Sequence, residues 1–73
     1  ELAFNGETLE EIAVTLNRIY NVDIQFGSEK IKKYRFSGVI KNNSLDNVIQ
    51  IISLTAPIEY SSIGNKITLN EKL

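Results

Sequence analysis

Between Thr8 and Phe26 the apolar positions recur first at helical spacing and then at alternating spacing. Leu9, Ile12, Ala13, Leu16, Ile19 and Tyr20 share one face of a helix. Val22, Ile24 and Phe26 then alternate with Asp23 and Gln25, the pattern of a half-buried strand. The helix start is marked by a capping box. The Thr8 hydroxyl can accept from the Glu11 amide while the Glu11 carboxylate reaches back to the Thr8 amide. Glu10 and Glu11 also suit the positive end of the helix dipole, and Asn21 suits a left-handed C-cap.

This helix-strand unit recurs at an offset of 36 residues, with Ser44-Leu45-Asp46-Asn47-Val48-Ile49 answering Thr8-Leu9-Glu10-Glu11-Ile12-Ala13. Leu16 is then matched by Ile52, Val22 by Ile58 and Ile24 by Tyr60. Ahead of the first unit, Leu2-Ala3-Phe4 reads as a short strand that stops at the turn dipeptide Asn5-Gly6. Between the units, Gly27-Ser28 ends the second strand, and Glu29 to Lys33 is a charged connector with Ile31 turned toward the core. Tyr34 to Ile40 reads as the third strand. Tyr34, Phe36, Gly38 and Ile40 lie on one face, with Arg35, Ser37, Val39 and Lys41 on the other. Lys41-Asn42-Asn43 is a polar turn, and Ser44 is a good N-cap for the second helix.

In that helix Leu45, Val48, Ile49 and Ile52 form one stripe, which Ile51 and Leu54 widen to roughly 220° at about 100° per residue. A helix lying on one sheet needs a stripe of only ~100° or somewhat more. The second helix is therefore expected to be covered on two sides, by two sheets or by a partner. Pro57 ends it, because proline cannot continue a helix and disfavours helical geometry at Ala56. Ile58 to Ser61 is a fourth strand, Gly64-Asn65 a two-residue hairpin signal, and Lys66 to Leu69 a fifth strand.

The predicted order is β-α-β-β-α-β-β, an α+β fold built from two βαβ repeats, in a single domain over residues 1–73. Two architectures fit the pattern. One is a ferredoxin-like single sheet with both helices on one face, of which RNA-recognition folds are a special case. The other packs the two helices between two small sheets, which suits the wide stripe of the second helix.

Composition narrows the chemistry. The 73 residues contain no Cys and no His, which excludes a disulfide framework, a thiolate or imidazole zinc site, and Cys or His catalysis. The net charge of −1 gives no global field toward nucleic acid or an anionic membrane. No apolar run approaches the ~20 residues of a membrane span. The sequence opens at Glu1-Leu2 without Met, so it is expected to be a segment of a longer protein.

Candidate catalytic groups reduce to the carboxylates Glu10, Glu11, Asp23, Asp46 and Glu59. The first two serve a helix N-terminus, Asp46 a first helical turn, and the strand acids point to solvent. No nucleophile-base-orienter set accompanies them, and no Gly-rich phosphate loop is present. Neither catalysis, a cofactor nor a metal is expected. The sharpest local signal is Lys30-Ile31-Lys32-Lys33-Tyr34-Arg35-Phe36, basic residues interleaved with aromatics, as in the stacking platform of RNA-binding modules. Against an RNA-binding βαββαβ module stand the net charge, bulky Lys33 and Arg35 where small residues are expected, and the lack of a first-strand aromatic pair. The competing reading turns Tyr34 and Phe36 into the core.

Leu2-Ala3-Phe4-Asn5 with Thr8-Leu9-Glu10-Glu11-Ile12 resembles the opening of the C-terminal domain of FecR-type anti-sigma regulators, especially the Bacteroidetes type. Arg18-Ile19-Tyr20-Asn21-Val22-Asp23-Ile24 looks like that family's helix-to-strand junction, although Ile19 stands where an aromatic is common. Tyr34-Arg35-Phe36-Ser37-Gly38 looks like its third strand. Leu54-Thr55-Ala56-Pro57-Ile58-Glu59-Tyr60 and Gly64-Asn65-Lys66-Ile67-Thr68-Leu69 look like its second helix end and closing hairpin. The order and spacing of these segments, rather than any single one, carry the resemblance across nearly the whole chain.

The resemblance implies a periplasmic domain of an inner-membrane protein whose membrane span and sigma-factor-binding segment lie outside this chain. It implies binding to the N-terminal signalling domain of a TonB-dependent outer-membrane transporter, and a fold similar to that signalling domain and to secretin N-terminal domains. In that group two helices lie between two small sheets. The transporter's own signalling domain is the nearest alternative. For a non-enzymatic receiver of this kind, the expected protein-binding residues are Tyr34, Arg35, Val39 and Ile63. The open edges of the third and fifth strands would offer backbone groups to a partner strand.

Overall fold

The computed structural model describes residues 1–41 and 44–72. Its elements are β1 (Leu2–Thr8), α1 (Leu9–Tyr20), β2 (Asp23–Phe26), a 3-10 turn (Lys30–Lys33), β3 (Arg35–Ile40), α2 (Leu45–Thr55), β4 (Ile58–Ile63) and β5 (Lys66–Glu71). The strands form two small sheets, β1-β3 and β2-β5-β4, so the single ferredoxin-like sheet does not occur. The two helices pack between the sheets, and one continuous apolar cluster joins side chains from both layers, Phe4, Phe36 and Ile40 from one and Ile24, Ile67 and Leu69 from the other. The anticipated turn residues Asn42 and Asn43 lie outside the described residues.

α1 starts and stops as its sequence dictates. The Thr8 hydroxyl accepts from the Glu11 amide at 3.2 Å, and the Glu11 carboxylate accepts from the Thr8 amide at 2.9 Å. This reciprocal pair satisfies two of the four orphan amides of the first turn. The C-cap Asn21 is left-handed at φ 53. A contact invisible in the pattern then fixes the helix-to-strand angle: the Asn17 side-chain carbonyl accepts from the Ile24 amide at 2.8 Å. α2 is capped by the Ser44 hydroxyl, which accepts from the Asn47 amide.

Strand boundaries differ from expectation: β2 begins at Asp23 rather than Val22, β4 runs to Ile63 and β5 to Glu71. β1 does not stop at Asn5-Gly6 but runs to Thr8 through a bulge between Phe4 and Glu7. Phe4 is opposite Gly38 and Glu7 opposite Phe36, so Asn5 and Gly6 together face Ser37. Gly6 takes φ 66, which glycine adopts without a Cβ penalty. β3 begins at Arg35 rather than Tyr34, because the Tyr34 amide closes the 3-10 turn on the Ile31 carbonyl.

α2 is also more exposed than its sequence implied. Leu54 is 81% exposed and Ile51 half-buried, so the covered arc spans Ile51, Leu45, Val48, Ile49 and Ile52, about 160° at 100° per residue. That still exceeds what one sheet requires, and the helix touches strands of both sheets, β3 and β4. Leu54 falls outside the arc because it sits in the last turn on the solvent side. The repeat breaks where Ile24 meets Tyr60: Ile24 is buried and Tyr60 exposed, since only Ile58 of β4 lies under the core.

Candidate protein-interaction surface

The basic-aromatic run does not form a stacking platform. Phe36 is buried and meets Phe4 edge-on, with ring centroids 6.0 Å apart. Tyr34 is half-buried against the same core, and its carbonyl accepts from the Leu9 amide at 2.8 Å. Ile31 is 0% exposed, the anchor of the connector. Lys32 ties the connector to its neighbours, with its Nζ 2.8 Å from Glu29 and 3.9 Å from Glu10. The same ammonium stands 5.9 Å from the Phe26 ring centroid. The hydrogen bond to Glu29 holds the Lys32 pKa above its ordinary value against a smaller opposing desolvation, with lesser attractions from Glu29 and Glu10 adding to it.

The four anticipated binding residues do not converge on one patch. Tyr34 packs inward. Arg35 and Val39 lie four residues apart on the outer side of β3, opposite Thr8 and Ala3. Val39 is 59% exposed and, with its exposed neighbour Ala3, makes the apolar centre of the outer face of the β1-β3 sheet. Ile63, 83% exposed, belongs to the other sheet, at the tip of the β4-β5 hairpin.

Arg35 has an internal task that its charge pattern does not reveal. Its Nη1 donates to the Gly6 carbonyl at 2.5 Å, and the Gly6 amide donates to the Ser37 Oγ at 2.7 Å. Two side chains of β3 thus satisfy both backbone groups of the bulged glycine. The sequence signal was the spacing of Arg35 and Ser37 on one strand face, but their partner became identifiable only once the bulge was known.

The sheet edges also differ from expectation. β5 lies between β2 and β4 and offers no edge, because β2 pairs with it in parallel while β4 returns antiparallel along its other side. The exposed strands at the margins are β1 and β3 in one sheet and β2 and β4 in the other.

Among the described residues, the candidate carboxylates Glu10, Glu11 and Asp46 serve local roles in first helical turns. Glu11 is engaged in the cap, and the hydrogen bond from the Thr8 backbone, then that from its hydroxyl, lowers its pKa. Among the described residues no three metal-ligating side chains cluster. A void of about 10 Å³ beneath the helices is lined by apolar side chains such as Leu16, Ile24, Ile52 and Leu69, and presents no polar group to a substrate. Among the described residues no helix is long and apolar enough to cross a membrane.

Comparison with known proteins fits this architecture to a family. The family described as "FecR, C-terminal" matches residues 1–69. The chain belongs to the FecR C-terminal domain family. No curated protein matches it at a significant level. This FecR C-terminal domain is similar to two crystal structures of a "putative anti-sigma factor" from Parabacteroides distasonis ATCC 8503, at 1.65 and 2.50 Å resolution. Both are 26% identical over 96% of the chain, with TM-scores of 0.86 and 0.85. The chain spans 33% of the length of that protein.

Proposed function

We propose that this domain is the periplasmic, signal-receiving module of a FecR-type anti-sigma regulator. It docks the N-terminal signalling domain of a TonB-dependent outer-membrane transporter. The regulator reaches the membrane, and holds its extracytoplasmic-function sigma factor, through segments outside this chain. The observation that carries the reading is the family match across residues 1–69. Likeness to an anti-sigma factor, at one third of that protein's length, supports a regulator module over the transporter's own signalling domain. In this reading the domain works by binding rather than by catalysis, as its anti-sigma regulator family suggests.

The docking surface in this reading is the outer face of the β1-β3 sheet around Val39, with β3 offering its margin to a partner strand. Exposed Val39 beside exposed Ala3 gives a small apolar centre, and Arg35 with Ser37 gives a polar border. The test is a pull-down with the signalling domain of the cognate transporter. Val39→Asp should lose capture while keeping the wild-type melting temperature. Capture unchanged by Val39→Asp would reject this face.

A further inference from the structure

We infer that the outer edge of β4 pairs antiparallel with β4 of a second copy, joining two β2-β5-β4 sheets across a two-fold axis at Ser61. The inference rests on which backbone groups the hairpin leaves unpaired, and it is independent of the docking face on β3.

The hairpin register fixes those groups. Ile63 faces Lys66 across the two-residue loop Gly64-Asn65, with Gly64 at φ 61 and Asn65 outside the positive-φ region. This is the type II′ arrangement, in which the flanking pair exchanges both hydrogen bonds. Alternation along an antiparallel pair makes Ser61-Thr68 and Glu59-Asn70 the next hydrogen-bonded pairs. The phase is checked at the far end, where the Lys72 amide donates to the Pro57 carbonyl at 2.9 Å. Ile58, Tyr60 and Ser62 therefore turn their amides and carbonyls away from β5. The Ile58 amide is satisfied by the Ala56 carbonyl at 2.7 Å. Tyr60 and Ser62 retain a donor and an acceptor each, spaced as only an extended strand can meet them.

Of the other marginal strands, β1 is bulged and β2 is four residues long, protections that natural sheets use, and β3 is the margin already assigned to the transporter's domain. β4 has six residues, no bulge, no internal proline and one charge, Glu59.

The occupant follows from charge and register. A two-fold pairing that sets Glu59 opposite its own copy is disfavoured by like charges. Shifting the axis to Ser61 sets Tyr60 opposite the second copy's Ser62, and each such pair exchanges two backbone hydrogen bonds. Glu59 then faces the second copy's Ile63, and the next residue in that row is Lys66, since Ile63 and Lys66 pair within the hairpin. Glu59 and that Lys66 stand two strand spacings apart, roughly 10 Å, within joint reach of the two side chains over Ile63. This register brings Glu59 toward Lys66 of the second copy and covers the hairpin's most exposed isoleucine.

The chain contains no cysteine, which permits a direct test. In this register Ser61 meets itself at a non-hydrogen-bonded site, with Cα atoms about 4.5 Å apart, inside the range that a disulfide spans. Ser61→Cys, incubated with oxidised glutathione, should form a covalent dimer at least ten times faster than Gln50→Cys, an exposed α2 position. Adding Ser62→Pro, which removes an edge donor without touching the β4-β5 ladder, should abolish the difference. Sedimentation of the unsubstituted chain should show mass rising with concentration from 8.2 kDa toward twice that value. Equal rates for Ser61→Cys and Gln50→Cys would overturn the register. A mass fixed at 8.2 kDa up to millimolar concentration would overturn the pairing.

Discussion

The Arg35 guanidinium donates to the carbonyl of Gly6, 29 residues earlier, and so clasps the bulge of β1 from the neighbouring strand. Ser37 holds the amide of the same glycine. A residue whose charge and exposure suggest partner binding thus first serves the sheet that carries the proposed docking face.

Removing either clasp should loosen β1 against β3. Arg35→Ala and Ser37→Ala should each cost about 1 kcal/mol, the usual net worth of one hydrogen bond. Denaturant unfolding should show lower midpoints with unchanged slopes. Gly6→Ala should cost a similar ~1–2 kcal/mol, because φ 66 crowds a Cβ against the backbone.

The capping box gives an acid dependence with a definite sign. The Glu11 pKa lies below 4.5 in the folded domain, chiefly through the hydrogen bond from the Thr8 backbone. Its stabilisation is therefore complete above 4.5 and is lost as the pH falls through the lower folded-state value. Glu11→Gln should remove that component of the acid sensitivity, read as a smaller drop in melting temperature between pH 6 and pH 3. Thr8→Ala, which removes the hydroxyl acceptor, should cost about 1 kcal/mol at neutral pH.

In the connector, burial rather than charge should dominate. Ile31→Ala should cost about 3 kcal/mol, since the side chain is fully enclosed. Lys32→Met, which keeps the aliphatic stem and loses the contacts to Glu29 and Glu10, should change stability by less than ~1 kcal/mol. A larger effect for Lys32→Met than for Ile31→Ala would reverse this ranking.

The elements were legible because their signals are local. The Thr8-Glu11 box, the Asn21 cap, the Pro57 stop and the Gly64-Asn65 hairpin each act within a few residues, and each occurs in the structure. The stripe of α2 correctly implied cover on two sides, although Leu54 was wrongly included. What the pattern could not give was long-range. The bulge depends on side chains some 30 residues away, and β5 becomes central only because β2 adds to it in parallel. Hence the expected edge on β5 was wrong, while the edge of β4 went unforeseen. For the same reason Tyr34, Arg35, Val39 and Ile63 looked alike in sequence yet occupy the core margin, the bulge clasp, an outer face and a hairpin tip.

The central claim is best tested by calorimetric titration of this domain with the signalling domain of its cognate TonB-dependent transporter. The account predicts saturable binding that falls at least tenfold with Val39→Asp, and that persists with Ile63→Lys on the opposite sheet. Absence of heat and of complex up to millimolar partner, with both domains folded, would contradict it.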